Sequence, residues 1–121
     1  MKKVLLIDDD PTMRGMIKLL LEFAGFEVIE ADDGQQGIDK YRELQTELVI
    51  TDMVMPNKTG LSMINDLLQE YPDAKIIAMS GGAAIDADRY LTVADKLGVE
   101  HILKKPFTQK ELFDAIQDYG F

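Results

Sequence analysis

Three consecutive carboxylates, Asp8, Asp9 and Asp10, follow directly on the apolar run of residues 4–7. Like charges at the end of a buried strand repel one another unless something compensates them. The pattern returns further along: Asp52 follows the run 48–51, Ser80 follows 76–79, and Lys104 and Lys105 follow 101–103. The cheapest compensation for clustered carboxylates is a hard divalent cation with oxygen ligands. Mg2+ suits this set better than calcium, because no loop offers the roughly six or more oxygens that calcium takes. A lysine beside such a cation is a point charge for an anion held next to the metal.

Those side chains need elements that carry them to one place. Residues 4–7, 27–30, 48–51, 76–79 and 101–103 are short aliphatic runs bounded by turn or charged residues, which predicts strands. Between them, helical spacing and end signals predict helices over 11–24, 34–44, 61–71, 86–97 and 108–119. Asp10-Pro11 opens the first of these and Gly25 stops it. Five strands alternating with five helices imply a parallel sheet covered on both faces. The runs 4–7, 48–51 and 76–79 lack polar alternation, which fits burial on both sides. In such a fold ligands bind at the carboxyl ends of the strands. The aspartates, Ser80 and Lys105 therefore converge on one edge, while the second strand contributes only the turn Ala31-Asp32-Asp33-Gly34.

Some of these residues have plainer roles. Asp10 is the N-cap of the first helix. Lys104 is a surface lysine, since neighbours on a strand point to opposite faces. His101, the single histidine, sits away from the strand ends and reads as a surface residue, and Met13 and Met16 read as core.

The chain of 121 residues suits one domain, 1–121, with 46% hydrophobic and 29% charged residues and no repeat or linker. It has no cysteine, which excludes disulfides, thiol catalysis and Cys-based metal sites. A formal charge of -9 opposes direct binding to nucleic acid or anionic lipid. No apolar run approaches the roughly 18 residues of a membrane span, and the N-terminal segment is too short for a signal peptide. A cytoplasmic protein is expected.

Four segments together resemble the receiver domain of two-component response regulators, over essentially the whole chain. They are "LLIDDDPTMR", "VITDMVMPNKTG" with Pro56 four and Gly60 eight residues after Asp52, "IIAMSGG", and "LKKPF". The resemblance implies a flavodoxin-like (βα)5 fold, a five-stranded parallel sheet of order 2-1-3-4-5. It implies a phosphorylation-controlled switch, stand-alone and chemotaxis-regulator-like, whose Asp52 accepts a phosphoryl group from a histidine kinase or histidine phosphotransfer protein. Asp9, Asp52 and the backbone carbonyl of Val54 would coordinate Mg2+, with Asp8 acting mainly through water. Lys105 and Ser80 would bind the phosphoryl oxygens, and the Lys105-Pro106 bond would be cis. Such a protein turns over no external substrate; it is a monomer or a weak dimer through its last two helices.

Two departures from the family's pattern stand out. Ile102 occupies the place where the family often has Tyr or Phe, so Ser80 and Ile102 are the switch candidates. The segment "GGAAIDADRY" predicts a longer mobile loop before the helix at 86–97. The competing reading is a receiver cut from a longer regulator with an output domain. A Mg2+-dependent phosphatase would want a second acid two residues after Asp52, where Val54 stands. A flavin module would want a Ser/Thr/Gly-rich phosphate loop where the three aspartates stand.

Overall fold

The computed structural model describes residues 2–53, 59–80, 98–99 and 101–121. In chain order the elements are β1 (Lys3–Ile7), α1 (Pro11–Phe23), β2 (Glu27–Ala31), α2 (Gly34–Leu44), β3 (Leu48–Asp52), α3 (Gly60–Glu70), β4 (Ile76–Ser80), β5 (His101–Lys104) and α4 (Gln109–Asp118). The five strands form one parallel sheet of order β2-β1-β3-β4-β5. This is the expected flavodoxin-like order. The helix expected over 86–97, the loop "GGAAIDADRY" and Val54 lie outside the described residues.

The central strands are buried on both faces, as their unbroken apolar runs require: β3 and β4 are buried throughout and β1 from Val4 onward. Alternate residues feed two cores. Leu5, Ile7, Val49, Ile76 and Ala78 pack with Ile38 and Tyr41 of α2 and Met63, Ile64 and Leu67 of α3. Val4, Leu6, Leu48, Ile50, Ile77 and Met79 pack with Ile17 and Leu21 of α1 and Leu112, Ala115 and Ile116 of α4 on the other face. Full burial of one such side chain contributes about 1.5–3 kcal/mol, so these layers fix the strand ends relative to one another.

Short polar side chains start each helix. Asp10 accepts from the amides of Thr12 and Met13, Asp33 from Gln36, and Thr59 from Ser62. Thr108 and Glu111 form a capping box on α4. Each cap contributes about 1 kcal/mol. α1 ends before Gly25 at φ 95°, whereas Gln45 closes α2 in the left-handed region at φ 43°, a position without a glycine signal.

β2, β3, β4 and β5 run one residue past their apolar runs, and β1 starts one residue before its run; at the carboxyl edge the ladder continues through Met53 N–H to the Met79 carbonyl and Lys105 N–H to the Ser80 carbonyl. Helix α3 begins at Gly60 rather than residue 61 and α4 at Gln109, with Thr108 as its cap. Two side chains depart from expectation. Met16 is 59% exposed, because Ile17 and Leu21 take the core face of α1 and Met16 lies a quarter-turn away, beside exposed Leu19 and Phe23. His101 is half-buried, edge-on to the Tyr119 ring with centroids 4.7 Å apart.

Candidate functional site

The carboxyl edge of the sheet carries an unusual load of buried polar groups: Asp8, Thr51, Asp52 and Ser80. β1 and β3 are neighbours with Ile7 opposite Thr51, so Asp8 and Asp52 emerge side by side. Asp8, Asp9 and Asp52 offer carboxylate oxygens that all lie within 4.8 Å of one another. Lys105, just past β5, reaches across the end of the sheet. Its Nζ is 3.1 Å from Asp8 Oδ2 and 3.0 Å from Asp52 Oδ2. The Lys105-Pro106 bond is cis, as expected.

The ammonium thus compensates the two buried carboxylates, an ion bridge that the sequence reading did not foresee. Burial disfavours the charged lysine. The hydrogen bond and charge of Asp52, with those of Asp8, outweigh that and raise its pKa above the ordinary lysine value. Among the described residues, three carboxylates gather around one ammonium, so acid outnumbers base in the cluster. The donor set is oxygen only, without nitrogen or sulfur, and its deficit matches a hard divalent cation. These residues fit Mg2+.

The backbone around the acids is fixed at several points. Asp8 Oδ1 accepts from the Asp10 amide at 2.9 Å, and the Asp8 amide donates to the Ala31 carbonyl at 3.2 Å. Asp10 is occupied as the N-cap, as expected. At β3 the Thr51 hydroxyl donates to the Asp52 carbonyl at 2.9 Å. A Cβ on Gly60 would lie 1.9 Å from that same carbonyl oxygen and 2.7 Å from the Met53 Cα. Gly60 therefore permits α3 to start directly against the residue that carries the Asp52 carboxylate.

Ser80 is buried at the end of β4, where its carbonyl accepts from the Lys105 amide at 2.7 Å. Ile102 pairs with Ala78 in register and packs, partly buried, on the α2–α3 side. Lys104 is exposed. Gly60's close approach and the guanidinium of Arg14 were not singled out from sequence. The position of Arg14, four residues after the cap Asp10 and on the flank of α1 facing Glu30 of β2, was the available signal.

A family model described as the response regulator receiver domain matches residues 4–117. The chain is 34% identical over 116 residues to a chemotaxis protein CheY of Thermotoga maritima, covering 95% of this chain and 94% of that protein. It is 36% identical over 117 residues to the transcriptional regulatory protein CpxR of Escherichia coli, covering 97% of this chain but 48% of the regulator. Among solved structures, a response regulator receiver domain protein from Clostridium thermocellum superposes with a TM-score of 0.89 at 33% identity, covering 98% of this chain and 94% of that one.

Proposed function

The chain belongs to the response regulator receiver family, and from that premise we propose that Asp52 accepts a phosphoryl group from a phosphohistidine on a partner kinase or phosphotransfer protein. The observation that supports this most directly is the Asp8–Asp9–Asp52 cluster with Lys105 bridging two of its members.

An Asp52 carboxylate oxygen attacks phosphorus, and a P–O bond forms as the P–N bond to the imidazole breaks. The electron pair leaves on the imidazole nitrogen, which takes a proton, and the product is an acyl phosphate. Such a transfer needs positioning and charge neutralisation more than it needs a base. Asp52 is held at the end of a fully buried strand, which fixes its approach. Lys105 stands within 3.0 Å of the acceptor and passes from carboxylate to the arriving phosphoryl oxygens. Asp8, Asp9 and Asp52, with the Val54 carbonyl, would hold Mg2+, which when bound supplies further neutralisation of those oxygens. Attack of water on the acyl phosphate returns the carboxylate and inorganic phosphate, so the protein resets itself and turns over no external substrate.

Ser80, buried one strand away from Asp52, would donate its hydroxyl to the phosphoryl group, and Ile102 on β5 would repack in response. Their movement changes the surface that a downstream protein reads. No helix among the described residues is long and apolar enough to cross a membrane. A cytoplasmic switch, monomeric or weakly dimeric, fits this, as does a receiver within a longer regulator of the CpxR kind. Incubation with acetyl phosphate and Mg2+ should add one phosphoryl group, seen by intact mass. Asp52→Asn should remain unlabelled; persistent labelling of that variant would place the acceptor elsewhere.

A further inference from the structure

We propose that Arg14 is a positioning residue for the acidic pocket: it holds the Asp8–Asp9 peptide in the orientation from which Asp9 reaches the divalent cation. The inference rests on the reading of the pocket given above. Arg14 lies one turn into α1, with its side chain only 17% exposed. Its Nη1 donates to the Asp8 backbone carbonyl at 2.6 Å and stands 2.8 Å from Asp32 Oδ1, while Nε donates to Glu30 Oε1 at 3.1 Å. One planar fork thus ties together the end of β1, the end of β2 and the turn after β2. A lysine, with a single nitrogen, could not span those three acceptors in the same way.

The contact to the Asp8 carbonyl matters for a geometric reason. That carbonyl belongs to the peptide unit whose nitrogen is the Asp9 amide, so fixing its plane places the Asp9 Cα and the axis about which its side chain turns, while the Asp10 amide on the other side is held by Asp8 Oδ1. Asp8 and Asp10 are each held by their own carboxylate hydrogen bonds. Asp9 is exposed, so the position of its backbone governs which sites its carboxylate can reach. The anchor is itself anchored: Lys18 Nζ is 3.3 Å from Glu30 Oε2, and Lys40 Nζ donates to the Glu30 carbonyl. Glu30 is partly buried, and although burial raises its pKa, the hydrogen bonds of Lys18 and Arg14 outweigh this and bring it below the ordinary carboxylate value.

A purely electrostatic role and a positioning role differ in sign. Arg14 is a cation close to a pocket with a net negative charge, so removing it should strengthen Mg2+ binding if charge were its whole contribution. Loss of an orienting contact behind a ligand should weaken binding, commonly by about 10-fold or more. The test is an NMR titration of the 121-residue chain with Mg2+, following the amides of residues 8–10, alongside the acetyl phosphate reaction at varied Mg2+ and the melting temperature without metal. For Arg14→Gln the expected result is a half-saturation about 10-fold higher, with the rate at saturating Mg2+ within about 2-fold of the parent. Arg14→Lys, which keeps the charge, should shift half-saturation in the same direction by a smaller factor, and it covers the case in which the glutamine variant fails to fold. Asp32→Asn, which leaves the Asp8 contact in place, should move it less than about 2-fold. Unchanged or tighter Mg2+ binding in a folded Arg14 variant, with only its melting temperature lowered, would overturn the proposal. Failure of the parent itself to bind Mg2+ at residues 8–10 would instead overturn the reading of the pocket.

Discussion

The two edges of the sheet solve opposite problems with similar residues. At the amino ends of the strands, several charged and aromatic groups meet within the fold. Lys2 and Lys75 stand 4.6 and 5.0 Å from the Phe121 ring centroid, and Phe26 meets that ring edge-on. The Tyr119 hydroxyl donates to the Ile76 carbonyl at 2.6 Å, and Lys75 donates to the Tyr119 carbonyl. At the carboxyl ends, among the described residues, three carboxylates gather around one lysine ammonium. One edge closes the fold on itself; the other gathers oxygen donors of the kind a hard cation takes. The difference locates function where local complementarity is left incomplete.

The largest effect expected on this contrast is at Asp9. Asp9→Ala should lose Mg2+ binding almost entirely, and Asp8→Ala should weaken it less, since Asp8 is tied to Lys105 and to the Asp10 amide. Calorimetric titration of both variants checks this; two parent-like affinities would move the metal away from the cluster. Mg2+ should also raise the parent's melting temperature by binding the folded state alone.

Next in size is Gly60→Ala. The new Cβ would meet backbone atoms at 1.9 and 2.7 Å, with no flexible side chain to yield, so the junction of β3 and α3 must shift. Overpacking of this kind costs about 1–3 kcal/mol and sometimes more. Because the displaced atoms belong to Asp52 and Met53, the phosphorylation rate should fall together with the urea midpoint. A variant with normal rate and normal stability would show that this edge is softer than its packing implies.

Much of this was legible in the chain. The sheet order followed from recognising the family pattern, and the two-sided burial of β1, β3 and β4 from the absence of alternation. The convergence of Asp8, Asp9, Asp52 and Lys105 followed from reading what stands after each strand. What escaped was whatever depends on three-dimensional reach rather than on local pattern. Arg14 is legible as a helix residue, but its three acceptors come from separate elements. Gly60 is legible as a helix start, but its need for a bare Cα arises from the carbonyl of a residue eight positions earlier. Met16 looked like core because helical spacing alone does not say how wide a stripe the sheet can cover.

The amino edge should show the converse behaviour. Phe121→Ala removes an edge-on ring pair and two cation–π contacts, each modest at a partly exposed site. The expected cost is about 1–2 kcal/mol in urea unfolding. Mg2+ affinity and phosphorylation by acetyl phosphate should stay within about 2-fold of the parent, the small change expected of a substitution distant from the site. A large fall in either would mean that the two edges are coupled through the sheet and would erase the distinction between them.

The smallest effect expected is in the alkaline limb of stability, and its sign is fixed by Lys105. Its folded pKa lies above the ordinary value of 10.5, because Asp52 and Asp8 outweigh the burial that opposes the charge. Folding therefore favours the protonated form. That contribution is complete below pH 10.5 and is lost as the pH rises through the folded value. The comparison to make is between the parent and Lys105→Gln, each without metal. Their difference in urea midpoint should be level between about pH 7 and 10 and shrink above 10.5. Lys75 lies against the Phe121 ring and donates to the Tyr119 carbonyl, outside the carboxylate cluster, so Lys75→Gln serves as the comparison that leaves the bridge intact. A Lys105 difference that grows as the pH rises past 10.5 would contradict the bridge between Asp8 and Asp52 on which the resting pocket depends.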